Sequence, residues 1–210
     1  MKTYGQHCPV AKALDLVGDR WTLLIVRELL IQGPCRYTDL KNGIPGIATN
    51  LLSDRLSDLE SSGLVRREAA PPPIATTLYV LTKAGAELEP TIVALGRFGT
   101  RYLDEPGEND TGRPHWFPFA ASLHLRDGNP DHLPGTLQLL TKAGPAVIEI
   151  NGPNVTTRIG TVPSPTLTLE GEPDTILRLL LGQATLAQSQ ERGLRVDGDT
   201  AILQRIPPQT

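Results

Sequence analysis

Residues 36–63 read RYTDLKNGIPGIATNLLSDRLSDLESSG, and this stretch decides how the first half of the chain folds. The residues from Thr38 to Lys41 predict a short helix with Thr38 as its cap. The Ile44-Pro45-Gly46 segment predicts a tight turn, and Thr49 to Ser62 predict a longer helix. A short helix, a Gly/Pro turn and a longer helix together have the spacing of a helix-turn-helix motif.

The longer helix has two distinct faces. On a helical wheel Leu52, Leu56 and Leu59 fall together and predict the packed face, with Leu51 beside them. The opposite face is small and polar, with Asn50, Ser53, Asp54, Ser57 and Ser61. Such side chains can read base edges in a DNA major groove, where Asn pairs with adenine and Asp accepts from cytosine. Any solvated helix can carry a polar face, so the position of this one within the motif is what favours DNA.

The neighbouring segments complete the order of elements. Two helices are predicted upstream, Pro9–Val17 and Arg20–Ile31. Two β-prone runs, Leu64–Ala69 and Thr76–Leu81, flank the loop Pro71-Pro72-Pro73 and predict a two-stranded wing. A last helix begins after a cap at Thr82, and its apolar stripe runs towards Tyr102 through Leu88, Ile92, Leu95 and Phe98/Gly99. This order is that of a winged helix-turn-helix domain.

The polar face and its surroundings give a set of candidate DNA contacts. The predicted DNA-binding residues are Arg36, Thr38, Thr49, Asn50, Ser53, Asp54, Ser57, Arg66 and Thr76. Arg20, Arg55 and Arg67 are further cations that could contact phosphates, although Arg55 could equally form an ion pair with Asp58 or Glu60. Ala69 to Thr77 contains no Lys or Arg, so we expect the wing to contact DNA weakly.

Charge neither requires nor excludes binding to DNA. Residues 1–104 hold 12 Lys/Arg against 11 Asp/Glu, and residues 105–210 hold 8 against 12, so the two halves carry net charges of +1 and −4. Phosphate binding depends on cations placed locally rather than on the whole-chain sum. We therefore expect modest, salt-sensitive affinity for non-specific DNA.

Composition predicts two domains in a chain of 210 residues. The Gly-, Pro- and acid-rich residues 105–114 predict a linker between a winged-helix domain, 1–104, and a second domain, 115–210. The pattern of strands and helices predicts an α+β fold for the chain as a whole and for the second domain. Its predicted strands are 123–125, 137–140, 146–150, 156–159, 166–169, 194–196 and 201–206, and its predicted helices are 173–181 and 186–192.

The first half resembles the HxlR-type transcriptional regulators, a branch of the MarR-like winged helices. The resemblance rests on CPVAKALDLVGDRWTLLI at residues 8–25, RYTDL at 36–40, IPGI at 44–47, LSDRL at 52–56, LESSGLV at 59–65 and YVLT at 79–82. It implies a homodimer formed through the first and last helices of the domain. Such a dimer would bind a palindromic operator, with residues 49–61 of each subunit in a major groove.

This sequence departs from the usual family pattern at several positions that bear on DNA. Ala48 stands where Ser usually caps the recognition helix, Asn50 where Lys is frequent, and Asp54 where Gln is frequent. Thr76 occupies the position of the usual basic residue of the wing. The resemblance therefore implies the fold and the mode of binding, but not the operator sequence.

The end of the chain resembles a sterol carrier protein type 2-like domain. The resemblance rests on TLTLEGEP at 166–173, LRLLLG at 177–182 and RGLRVDGD at 192–199. It implies a sheet covered by helices around an apolar tunnel, and hence an apolar small-molecule effector. The candidate lining residues are Ile176, Leu179, Leu180, Leu186 and Ala187, which could equally be ordinary core. Two alternatives stay open: a lipid carrier or storage protein with a degenerate winged helix, and a second domain that is purely structural.

The chain has two cysteines, too few for a disulfide framework. In some HxlR-type regulators the cysteine of the Cys-Pro opening senses oxidants. The resemblance therefore makes Cys8 a candidate redox sensor. The alternative is a structural cysteine at the dimer interface. Cys35, beside Pro34, is expected to be unreactive.

The sequence offers little support for an enzyme. It has no phosphate-binding Gly loop and no Gly-x-Ser-x-Gly motif, and the spacing of His115, His124 and His132 fits no metal ligand set. We therefore expect no catalytic activity, no cofactor and no metal. With no long apolar segment and no signal peptide, the expected location is the cytoplasm, without membrane association.

Overall fold

The structure is a computed structural model that describes residues 3–70, 73, 75–100, 102, 113, 115–123, 125–142, 144–152 and 154–207. The chain divides into two compact units, residues 1–95 and 96–210. Of the predicted linker, 105–114, only Arg113 lies within the described residues. Both units mix helices with strands, as the α+β prediction requires. No helix among the described residues is both long and apolar enough to cross a lipid bilayer.

The first unit has the predicted order of elements. They are α1 (Pro9–Val17), α2 (Thr22–Gln32), α3 (Tyr37–Gly43), α4 (Thr49–Ser61), β1 (Val65–Ala69), β2 (Thr77–Leu81), α5 (Lys83–Ala86) and α6 (Glu89–Thr100), the last of which continues into the second unit. Pro9 opens α1 at a position where its missing N–H costs nothing. The hydroxyl of Thr82 accepts a hydrogen bond from the N–H of Gly85 at 3.1 Å, so Thr82 is the cap expected from the sequence.

The core of the first unit lies between α2, α3 and α4. Its fully buried residues include Ile25 and Val26 of α2, Leu40 of α3, and Leu52, Leu56 and Leu59 of α4. Burying a Leu or Ile side chain stabilises the fold by about 1.5–3 kcal/mol relative to leaving it in water. The leucine face of α4 thus holds this helix on the domain and leaves its other side outward.

The wing pairs β1 with β2 in an antiparallel register that runs from Val65 opposite Leu81 to Ala69 opposite Thr77. A bridge between Cys35 and Tyr79 extends this small sheet: the Cys35 N–H donates to the Tyr79 carbonyl at 3.1 Å, and the Tyr79 N–H donates back at 2.7 Å. The segment between α2 and α3 is therefore fixed to the wing by backbone hydrogen bonds.

The helix expected after Thr82 is in fact two helices, α5 and α6, and its apolar stripe is only partly buried. Ile92 is buried, whereas Leu95 and Phe98 are among the most exposed large apolar side chains. The spacing of the stripe is helical, but Leu95 and Phe98 lie outside the core of the described residues.

The second unit is a five-stranded mixed sheet with helices. Its elements are α7 (Trp116–Ser122), β3 (Gly135–Thr141), β4 (Gly144–Asn151), β5 (Asn154–Ile159), β6 (Leu167–Glu170), α8 (Pro173–Leu180), α9 (Leu186–Glu191), β7 (Arg195–Gly198) and α10 (Ala201–Arg205). The strand order is β5-β4-β3-β6-β7, in which β3 and β6 are parallel and the other neighbours antiparallel. Leu137, Leu139, Ile148, Ile150, Leu167 and Leu169 of this sheet pack with Ile176 and Leu180 of α8 in one core.

Two predictions for the second half are wrong. Residues 201–205 form helix α10 where a strand was predicted over 201–206, because Ile202 and Ile206 are four residues apart and both turn into the core. Leu123, predicted to begin a strand, is instead the C-cap residue of α7, a helix that the sequence did not predict, and His124 lies outside the described residues. Pro118 lies in the first turn of α7, where a helix tolerates proline.

Candidate nucleic-acid interface

The outward face of α4 is polar along its length. Thr49, Asn50, Ser53, Asp54, Ser57 and Ser61 are all exposed, whereas Leu52, Leu56 and Leu59 are almost completely buried. The division into two faces is the one that the helical wheel predicts. The small, polar side chains leave the backbone of α4 accessible to a groove of DNA.

Tyr37 joins α3 to α4. Its hydroxyl donates to the backbone carbonyl of Thr49 at 2.7 Å, which links the first residue of one helix to the first residue of the next. The hydroxyl of Ser53 lies 3.2 Å from the same carbonyl and 3.3 Å from the Tyr37 hydroxyl. Ser53, which the sequence assigns to DNA, is therefore engaged within the domain. Tyr37 was missed, although an aromatic ring with a polar tip inside the motif is a usable signal.

The start of α4 has no side-chain cap. Ala48 occupies the N-cap position with φ −71° and ψ 147° and cannot accept a hydrogen bond from the first turn. The N–H groups of the first helical turn lack partners within the helix, and the helix dipole favours an anion there. A backbone phosphate of DNA is suited to this position.

Arg36 and Thr38 lie at the start of α3. The Arg36 N–H donates to the Asp39 carboxylate at 2.9 Å, so Asp39 caps the helix and fixes its first turn. The side chains of Arg36 and Thr38 are exposed, and no ion pair reaches the Arg36 guanidinium from the described part of the chain. Arg36 is thus placed to contact a phosphate.

Arg55 is held within the domain. It pairs with Asp19 in the turn between α1 and α2, and with Asp58 of α4 at 3.2 Å. The sequence left open whether Arg55 contacts phosphate or forms an ion pair with Asp58 or Glu60. In the structure the guanidinium joins α4 to the turn that precedes α2, with only 19% of the side chain exposed.

The arginines of β1 also have carboxylate partners. Arg66 pairs with Glu68 on the same strand, and Arg67 lies 3.0 Å from Glu60 and stacks 5.5 Å above the ring of Tyr79. Ion pairs this exposed contribute little, so Arg66 can exchange Glu68 for a phosphate at small cost. Thr76 is half-buried, and its carbonyl accepts from the Ala70 N–H at 2.8 Å at the base of the wing loop.

The two cysteines have different surroundings. Cys35 is buried, and burial raises the pKa of its thiol to about 12, with the carboxylates of Asp39 and Glu28 adding to the effect. Its Sγ donates to the Gly33 carbonyl at 3.3 Å. Cys8, at the N-cap of α1, is partly exposed.

The candidate lining residues of the second unit differ in burial. Ile176 and Leu180 belong to the core, Leu179 and Leu186 pack against it while partly exposed, and Ala187 is exposed. The assignment of a ligand to these five residues stays a prediction.

Known proteins resemble the first half of the chain. The family model described as HxlR-like helix-turn-helix matches residues 16–106. An uncharacterized HTH-type transcriptional regulator from Synechocystis is 33% identical over 101 residues, which cover 48% of this chain and 74% of that protein. YvaP, an uncharacterized HTH-type transcriptional regulator from Bacillus subtilis, is 34% identical over 101 residues, covering 48% of this chain and 93% of its own. The solved structure of the reduced transcriptional regulator YodB from B. subtilis is 31% identical, covers 49% of this chain and 100% of that chain, and has a TM-score of 0.40.

These sequence similarities lie in the part of the chain that carries the helix-turn-helix and the wing. The chain belongs to the HxlR-like helix-turn-helix family of transcriptional regulators.

Proposed function

We propose that the chain is a DNA-binding transcriptional regulator that acts as a homodimer on a palindromic operator. The observation that carries this proposal is the free polar face of α4, which stands opposite a fully buried leucine face in a helix-turn-helix. In this arrangement the second helix of the motif enters the major groove and its N-terminal residues contact the bases. Arg36, Thr38 and the uncapped start of α4 would then contact phosphates, and Arg66 and Thr76 the flanking backbone.

Exposed apolar side chains support the homodimer. On α1, Val10 is 66% exposed and Leu14 is also exposed; on α6, Leu95 is exposed and Phe98 is 54% exposed. Covering these apolar side chains of the first and last helices with a second copy of the chain would remove them from water and so stabilise a dimer. Covering them is what a dimer formed through α1 and α6 does.

Titration of the full chain with a fluorescent DNA fragment from upstream of its own gene tests this function. We expect saturable binding that weakens as salt increases, because binding to phosphates releases counterions. Arg36→Ala should weaken binding, while Arg126→Ala, which removes an exposed cation from the second unit, should not. Absence of binding at low salt, or equal effects of the two substitutions, would contradict the assignment.

The oligomeric state is tested separately by light scattering on the full chain. Wild type should have the mass of a dimer, and Val10→Asp should shift it towards a monomer because a carboxylate cannot be buried unpaired in an apolar interface. Thr161→Asp, at an exposed position of the second unit, is the matched control. A wild-type monomer at all concentrations tested would refute the dimer.

Two signals are candidates for controlling the DNA binding of this chain. Modification of Cys8 is one, because its thiol is partly exposed at the start of α1. An apolar effector in the second unit, as a sterol carrier-like domain would hold it, is the other. Leu179 and Leu186 support it, because they leave apolar surface uncovered beside the core. Native mass spectrometry of the full chain tests for such a ligand, and a bound ligand that leaves operator affinity unchanged would exclude an effector role.

The carrier or storage protein with a degenerate winged helix is less favoured. The chain forms helices α1 to α4 and both strands of the wing, and the apolar residues between the helices of the helix-turn-helix are buried. A carrier function would also leave the free polar face of α4 without a role.

A further inference from the structure

The side chains on the outward face of α4 differ in what they have free to offer. Ser53 is engaged by Tyr37 and by the Thr49 carbonyl, and Ser61 donates to the Asp58 carbonyl at 2.9 Å. Asn50 and Asp54 are exposed, and within the described residues neither side chain makes a hydrogen bond or an ion pair. These two therefore present the strongest unused hydrogen-bonding groups of the helix.

The chemistry of Asp54 restricts what it can face. An ionised carboxylate only accepts hydrogen bonds, and phosphates of an approaching DNA repel it. Guanine and thymine present acceptors alone or with a methyl group in the major groove, and the N6 donor of adenine lies beside its N7 acceptor, which repels a carboxylate. Cytosine instead presents the N4 amino donor without an acceptor beside it. A cytosine amino group is thus the partner that best offsets the electrostatic cost of this side chain.

Asn50 offers hydrogen-bonding groups that Asp54 lacks. Its amide carries one acceptor and two donors, which match the N6 donor and the N7 acceptor of adenine in a bidentate pair. The two residues are four apart, so they lie on the same side of α4 about 6 Å apart along its axis. Base pairs stack about 3.4 Å apart, so the two side chains address bases within roughly two steps of each other.

We propose that Asn50 and Asp54 are the specificity-determining residues of the operator, selecting an adenine and a cytosine within about two base steps in each half-site. This inference rests on the proposed function, because it requires α4 to enter a major groove. It also accounts for the weak positive charge of the domain: sequence recognition here uses an amide and a carboxylate rather than arginine contacts to guanine.

Selection of binding sites from a random double-stranded DNA library by the full chain tests the inference. The library is bound by wild type, by Asn50→Ala, by Asp54→Asn and by Asp197→Asn. Asp197→Asn removes one exposed carboxylate from the second unit and so controls for net charge. Circular dichroism and light scattering establish that all four proteins have the same fold and oligomeric state.

We expect wild type to select half-sites with an adenine and a cytosine. Asp54→Asn should lose the preference at the cytosine, and Asn50→Ala the preference at the adenine, each by about 5- to 100-fold in relative affinity. Asp54→Asn should also bind non-specific DNA more tightly, because a repulsive charge is removed. Asp197→Asn should select the wild-type site.

The possible failures are distinguishable. If wild type selects no sequence and binds no DNA, the proposed function falls and this inference with it. If wild type selects a defined site, and the two α4 variants select the same site with unchanged base preferences, the function stands and the inference is overturned. A wild-type site without an adenine and a cytosine at this spacing also overturns it.

Discussion

The Tyr37 hydroxyl donates to the Thr49 carbonyl at 2.7 Å, so the two helices of the helix-turn-helix are joined at their first residues. Ser53 closes the arrangement from the next turn of α4, with its hydroxyl 3.3 Å from that of Tyr37. The residues that we propose to read bases lie on α4, so this contact would fix the angle at which they leave the domain. We therefore expect Tyr37 to affect DNA recognition by positioning α4.

Replacing Tyr37 with Phe should weaken both the fold and DNA binding. The ring is kept and one hydrogen bond is lost, so the free energy of unfolding should fall by about 1 kcal/mol. Operator affinity should fall by a similar free energy, about fivefold, because the Thr49 carbonyl is released at the start of α4. Denaturant unfolding and operator titration measure the two effects.

Tyr4→Phe provides the control for Tyr37, since the Tyr4 side chain is exposed and makes no hydrogen bond to the described residues. The Tyr4 backbone N–H, which the substitution keeps, donates to Asp15 at 2.7 Å. Tyr4→Phe should change neither the free energy of unfolding nor the operator affinity. If Tyr37→Phe were indistinguishable from this control, the joint between α3 and α4 would not depend on the hydroxyl.

Arg55→Ala should lower the free energy of unfolding by about 1–2 kcal/mol. The guanidinium pairs with Asp19 and Asp58, and a mostly buried stem also loses packing when truncated. Both carboxylates are substantially exposed, which limits the electrostatic part of the loss. Arg66→Ala, which breaks an exposed pair with Glu68, should change stability by less than about 0.5 kcal/mol. Equal losses for the two variants would contradict a structural role for Arg55.

Local patterns predicted much of the first unit, because most of its elements are helices with apolar residues at helical spacing. The leucine face of α4, the cap at Thr82 and the wing could all be inferred from a few adjacent residues. The link from Tyr37 to Thr49 and the bridge from Cys35 to Tyr79 could not, because each joins residues distant in sequence through tertiary packing. The sequence thus predicted which residues lie on the exposed face of α4, but not the contacts that hold α4 and the wing in position.

Ambiguous patterns misled the interpretation of the second unit. Residues 201–206 contain apolar residues at both strand and helix spacings, and only the sheet beside them decides that Ile202 and Ile206 share a face. The sequence did not predict the helix over 116–122, whose Pro118 falls in the first turn, where a helix accepts proline. The ion pair between Asp127 and Arg205, 78 residues apart, has no local signal at all.

The Asp127–Arg205 pair predicts how the stability of the second unit depends on pH. The Arg205 guanidinium donates to both carboxylate oxygens, at 2.8 and 2.6 Å, and these bonds hold the pKa of Asp127 below its ordinary value. A carboxyl with a lowered native pKa stabilises the fold above its unfolded pKa and loses that contribution as pH falls through the native one. Unfolding should therefore become easier as pH falls below about 4, the ordinary pKa of an aspartate.

Asp127→Asn should remove that part of the pH dependence. At pH 7 it should destabilise the second unit by about 3 kcal/mol, since it leaves a largely buried guanidinium without its counter-charge. Asp174→Asn breaks an exposed pair with Arg178 at 2.8 Å and should cost well under 1 kcal/mol. If wild type and Asp127→Asn had parallel stability curves below pH 4, the pair would not be the source of the acid sensitivity.

The two thiols should differ sharply in reactivity. Burial and a pKa of about 12 keep Cys35 protonated, and only the thiolate attacks an electrophile, whereas the partly exposed Cys8 is accessible. At pH 8 the native chain should react with one equivalent of a disulfide reagent rapidly, and with a second only on unfolding. Cys35→Ser should keep the fast phase and Cys8→Ser should abolish it, with both variants folded. A fast phase that survives in Cys8→Ser would show that the region around Cys35 opens in solution, and would remove the basis for assigning a sensing role to Cys8.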